Sequence, residues 1–208
     1  MLLVDKTLRE FTEVLASKAP TPGGGGGAAA GGALGMALGS MVANLTVGKK
    51  GYEEHQDEIY RILGEAKVIQ DRLLDAVDAD AAGYGKLNAV YKMPKGPERD
   101  EAMERESKNA CAVPIQICEL SLRAIKLHQR LVTSGNKMAI SDVTCGVLFC
   151  EAALVSGMLN VKINLNSIKD QEYVKETDAK VTAMIEEGKK ITKEVYDATY
   201  AMLAGAGH

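Results

Sequence analysis

The sequence has no tryptophan and only two phenylalanines among its 208 residues. That scarcity argues against a wide core filled by aromatic rings. Strand signals are also missing: there is no sustained period-2 run, and no Asn-Gly or Asp-Gly pair that would close a hairpin. Its four cysteines (Cys111, Cys118, Cys145 and Cys150) have no Cys-x-x-Cys spacing, and the three histidines (His55, His128 and His208) are scattered. Neither a structural zinc site nor any other metal site is expected, and the cysteines read as reduced, buried thiols that pack as small apolar groups. Signal-peptide character is lacking too, because Leu2, Leu3 and Val4 meet Asp5 before an apolar stretch can build. With the free thiols, this points to the cytoplasm. A formal charge of -3 supplies no general attraction to nucleic acid.

Small residues are abundant instead, with 21 glycines. From Ala19 to Gly48 no residue carries a charge. That length suffices to cross a bilayer. It opens, however, on Pro20, Pro22 and the glycines 23–27, it holds Asn44 and Thr46, and its apolar residues are mostly Ala. A buried central helix is therefore expected, with no membrane span.

Helical periodicity runs through almost the whole chain and predicts an all-α, compact multi-helix bundle over 1–208 as a single domain. Thr7 and Glu10 form a capping-box pattern for a first helix that ends before Pro20. Pro20-Thr21-Pro22 and the glycine run read as a loop, and a second helix is expected from Ala28 to Thr46. Gly27, Gly31, Gly35, Gly39 and Ala43 recur every four residues. They form either a packing face or a face whose N-terminus also lets a ligand approach. A long third helix runs from Tyr52 beyond Tyr84, and Pro97 opens a fourth that reaches Leu131 and is bent or interrupted at Pro114. Ser141 or Asp142 is expected to cap a fifth helix ending near Leu159. Asn160 to Asn166 reads as a turn, and Asp170 caps a sixth helix.

The third helix carries one misplaced charge. At about 100° per residue, Asp71, Asp75 and Asp78 fall outside its apolar stripe, in positions open to solvent. Asp80 falls inside it, between Leu73 and Val77 on one side and Tyr84 and Leu87 on the other. An inward carboxylate costs several kcal/mol unless paired or protonated, and burial raises its pKa toward the range useful for proton transfer. It is either a structural bridge or a catalytic group. By ordinary precedent Asp142 is a cap, Asn136 a turn residue, and Lys49-Lys50 a solvated helix end or an attractor for an anion. The glycine run is not a phosphate loop, since no Gly-Lys-Ser/Thr follows it.

Pro20-Thr21-Pro22-Gly23-Gly24-Gly25 with its Ala/Gly helix, and Asp78-Ala79-Asp80 followed by Tyr84, resemble the formiminotetrahydrofolate cyclodeaminase and methenyltetrahydrofolate cyclohydrolase family. So do Gly135-Asn136 with Ser141-Asp142, and Asn160-Val161-Lys162-Ile163-Asn164-Leu165. These matches lie in order over nearly the whole chain. The resemblance implies an all-α homodimer, with the long helix carrying a catalytic Asp80, that binds a tetrahydrofolate derivative as substrate and uses no further cofactor. It implies a cyclohydrolase, opening methenyltetrahydrofolate to 10-formyltetrahydrofolate with water. The related alternative is a cyclodeaminase, closing formiminotetrahydrofolate with loss of ammonia. A non-enzymatic folate-binding or scaffold dimer is the alternative of another class. Gly23, Gly24, Gly25, Asn136, Asp142 and Asn164 are the substrate-binding candidates it suggests, and Lys49 and Lys50 are placed to meet the glutamate tail. No transferase domain accompanies the motifs, which favours ring opening.

Overall fold

A computed structural model describes residues 1–205. Six α-helices build it: α1 (Leu8–Leu15), α2 (Gly24–Asn44), α3 (Gln56–Tyr91), α4 (Pro97–Ser134), α5 (Ile140–Leu165) and α6 (Gln171–Gly205). Two single 3-10 turns, Glu53–His55 and Lys137–Ala139, precede α3 and α5. No strand occurs among the described residues. His208 lies outside them.

Local chemistry explains most boundaries. The Thr7 and Glu10 side chains exchange hydrogen bonds with each other's backbone N–H, completing the expected capping box of α1. Pro97 occupies the first turn of α4, with Glu98 and Asp100 beside it. Asp170 Oδ1 accepts the Tyr173 N–H at the start of α6. The cap of α5 lies further back than expected: Asn136 accepts the Met138 N–H, so the 3-10 turn forms and α5 is already under way at Ser141 and Asp142. Asn160 to Leu165 is helix rather than turn, because Val161 and Leu165 are buried on the same face as the rest of α5.

Helix α2 sits at the centre, packed against α3, α4 and α5. It starts at Gly24, so four residues of the glycine run form its first turn rather than a loop. The expected four-residue stripe does not stay on one contact. Four residues turn the helix through about 400°, so each step moves some 40° around the axis. A β-carbon at Gly31 would meet nothing within 4 Å, whereas one at Gly35 would lie 2.8 Å from the Gly146 carbonyl of α5. Gly32 joins the contact instead, facing Ala153. Where α2, α4 and α5 meet, the His128 ring fills the space beside Gly39 and Gly146. Its Nδ1 lies 2.8 Å from the Ala124 carbonyl, and burial holds its pKa below the usual histidine value.

Three cysteines are buried as expected, but Cys145 is exposed on α5. Helix α4 is not interrupted at Pro114. Proline lacks the N–H that the Ala110 carbonyl needs one turn earlier, and Asn164 Nδ2 of α5 donates to that carbonyl at 2.9 Å. Asp78 is not left to solvent. Its carboxylate accepts the backbone N–H groups of Leu3 at 2.6 Å and Val4 at 3.1 Å, fastening the start of the chain to α3.

Candidate active site

The apolar stripe of α3 changes character part-way along. Leu73 and Val77 are buried in the core, while Tyr84, Leu87 and Tyr91 line a cleft of about 310 Å³. Asp80 stands at that transition. This is why a helical wheel places it inside while it still reaches open space. Tyr84 is correspondingly more exposed than a core position would be, at 41%.

The loop 20–23 and the first turn of α2 form the roof of the cleft, and α4 and α5 form its opposite wall. Asp80 Oδ2 accepts the Gly26 N–H at 3.0 Å. This is one of the first-turn N–H groups left without a partner inside α2. A β-carbon on Gly25 would lie 2.5 Å from the Asp80 carboxyl carbon, so a side chain there would push the carboxylate from this place. Burial raises the Asp80 pKa, and the Gly26 hydrogen bond opposes that rise only in part. The carboxyl group is therefore poised to hold or release a proton while fixed by one oxygen, with Oδ1 left for a ligand. Among the described residues no lysine, arginine or histidine lines the cleft. Among the described residues no group of His, Cys, Asp or Glu is arranged to hold a metal.

Of the residues singled out in the sequence, Gly23, Gly24, Gly25, Asp80 and Asn164 come together here. Lys49 and Lys50 do not, because they follow the far end of α2, about 30 Å away at 1.5 Å per residue. Asn136 lies at that same end, where its N–H donates to Thr46 Oγ1 at 2.9 Å and its Nδ2 to the Leu45 carbonyl at 3.2 Å. It ties α2 to the α4–α5 connection. Asp142 is in the first turn of α5, whereas the cleft lies at the last turns of that helix. Two polar residues of the wall, Asn109 and Asn160, have no place among the sequence candidates. Asn160 stands one turn before Asn164. That spacing is a signal only once the segment is read as helix.

The family model described as formiminotransferase-cyclodeaminase matches residues 7–183. The chain belongs to this family. It is 32% identical over 198 residues to a methenyltetrahydrofolate cyclohydrolase of Methylorubrum extorquens, covering 93% of this chain and 95% of that protein. It is 33% identical to the formimidoyltransferase-cyclodeaminase of Gallus gallus, covering 90% of this chain but 36% of that longer protein. The crystal structure of a formiminotetrahydrofolate cyclodeaminase from Thermotoga maritima superposes with a TM-score of 0.81 at 30% identity, over 97% of this chain and 98% of that one. The all-α fold of the family is thus shared along nearly the full chain.

Proposed function

We propose that the protein is a methenyltetrahydrofolate cyclohydrolase with Asp80 as its proton-transfer group. The observation that carries this reading is the half-buried Asp80 carboxylate, held by the Gly26 N–H in a cleft that no lysine, arginine or histidine among the described residues lines. The methenyl carbon of the substrate is a cationic amidinium, already electrophilic, and a lone carboxylate beside it is electrostatically favourable. In the forward step Asp80 takes a proton from water as the hydroxyl adds to that carbon. The carbon becomes tetrahedral. The C–N5 bond then breaks, Asp80 returns the proton to N5, and the added hydroxyl loses its own proton to solvent as the formyl C=O forms on N10. Gly23, Gly24 and Gly25 let the ligand approach the roof backbone closely. Likeness to the cyclohydrolase over 95% of that protein's length supports ring opening.

The likeness to a formiminotetrahydrofolate cyclodeaminase structure favours a second reading. Here N10 attacks the formimino carbon, and Asp80 supplies the proton that lets ammonia leave. Incubating the protein separately with methenyltetrahydrofolate and with formiminotetrahydrofolate, while following the methenyl absorbance, decides between them. Loss of the chromophore from the first substrate is expected. Gain of it from the second alone establishes the cyclodeaminase, and turnover of neither sinks both.

We further propose a cytoplasmic homodimer that needs no cofactor beyond its folate substrate. Helices α2 and α5 pass a test of length and apolar composition for crossing a membrane, but they pack on one another in the bundle. Their outer faces carry exposed Leu34, Met41, Leu148, Phe149 and Leu159. A second copy would cover such a face. Light scattering at twice the chain mass is the expected result, and a monomer at micromolar concentration would refute it.

A further inference from the structure

Three asparagines stand in the cleft wall, Asn109 of α4 and Asn160 and Asn164 of α5. Each has its amide nitrogen already occupied by an acceptor. Asn160 Nδ2 donates to the Ser156 carbonyl at 2.8 Å, and Asn164 Nδ2 to the Ala110 carbonyl at 2.9 Å. Asn109 Nδ2 donates to Glu106 Oε2 at 3.2 Å. A carbonyl or carboxylate oxygen can only accept, so these contacts fix which end of each amide is nitrogen. The three Oδ1 atoms remain, and no hydrogen bond among the described residues reaches them. With Asp80 opposite, this wall offers fixed acceptors, and no cation among the described residues lines the cleft. Such a wall repels carboxylates and bare carbonyls and favours a ligand rich in N–H groups.

Resting on the folate reading above, we propose that the Asn160 and Asn164 oxygens, with Asn109 at the rim, accept the N–H groups of the pterin's 2-amino and N3 edge. That edge carries three N–H bonds, two on the exocyclic amine and one on N3, which equals the number of free oxygens. The pterin then lies against α5, the one-carbon bridge faces Asp80, and the anionic glutamate tail leaves through the open mouth. Asn109, Asn160 and Asn164 are thus specificity residues that read the head of the substrate. Pro114 contributes indirectly, since the carbonyl it frees is what holds the Asn164 amide in place.

Asn160 is the residue to test. Among the described residues its side chain bonds only to its own helix, and alanine is a good helix former, so Asn160→Ala keeps the fold. A urea midpoint close to wild type checks this. With methenyltetrahydrofolate as substrate, KM is expected to rise about tenfold or more, with kcat changing far less. Binding of 5-formyltetrahydrofolate and of its 2-desamino-2-methyl analogue supplies the second measurement. Wild type is expected to prefer the amino compound by about tenfold or more, since acceptors that the bound ligand covers are otherwise left unpaired. The Asn109→Ala, Asn160→Ala double variant should lose most of that preference. An unchanged KM in Asn160→Ala, or equal wild-type binding of the two compounds, overturns the proposal. Because binding needs no turnover, a protein inactive on both folate substrates overturns the proposed function without deciding this one.

Discussion

Gly25 of α2 and Asp80 of α3 lie so close that a β-carbon on residue 25 would stand 2.5 Å from the Asp80 carboxyl carbon. The carboxylate occupies the space that a side chain would have taken. It collects the Gly26 N–H there and reaches the cleft on its other side.

Gly25→Ala should therefore displace the carboxylate. A misplacement of this size costs turnover about 10²-fold, and overpacking costs about 1–3 kcal/mol of stability. The control is Gly64→Ala on the exposed side of α3, where a β-carbon meets nothing within 4 Å. That change should stabilise by about 0.5–1 kcal/mol. Steady-state rates and urea midpoints of the two variants make the comparison.

Asp80→Asn should lower kcat by about 10²–10⁴-fold, the range for a proton-transfer group. It should also change how stability depends on pH. Burial raises the folded-state pKa of Asp80 above its unfolded value, so between the two the folded chain binds more protons. Its contribution to stability is present below the unfolded pKa and is lost as pH rises through the folded one. The wild-type minus Asp80→Asn difference in urea midpoint should thus decline with rising pH across that window. A flat difference would contradict the inward carboxylate.

Gly146→Ala tests the crossing of α2, α4 and α5. Its β-carbon would strike the His128 ring and lie 2.9 Å from the Gly35 carbonyl. A loss of at least about 2 kcal/mol is expected. Adding His128→Ala should give less than the sum of the two single losses, because the smaller side chain relieves the same clash. Additive losses in the double-mutant cycle would show that the ring is not what limits the approach.

Asp78→Ala removes the partner of two backbone N–H groups and should cost about 1–3 kcal/mol. Amide exchange at Leu3 and Val4 should speed up in the same variant. Asp71→Ala, by contrast, breaks only an exposed pair with Lys67 and should stay within about 0.5 kcal/mol.

Periodicity in the sequence makes the six helices legible, and one carboxylate inside an apolar stripe marks out Asp80, which lines the cleft. Two local errors had a shared cause. The glycine run and the segment 160–165 both look like loop by propensity, yet packing against neighbours makes them helix. Read as a turn, the second does not show the one-turn spacing of Asn160 and Asn164. Asp78 departs from its expected solvent position for another reason: its partners are the backbone of Leu3 and Val4. Those lie 75 and 74 residues away, and backbone N–H groups leave no mark in a pattern of side chains. Asn136, a substrate-binding candidate by resemblance, stands at the far end of α2 from the cleft, where its bonds to Thr46 and Leu45 belong to the fold.

Pro114 links two positions that are 50 residues apart in the numbering of the chain. With proline at 114, the Ala110 carbonyl depends on an amide from residue 164. With any other residue there, the helix satisfies that carbonyl itself, and position 164 is released from half of its task. Over evolutionary time the two sites should therefore drift as a pair: relatives that lose the proline need only an acceptor at position 164, and those that keep it need an amide there.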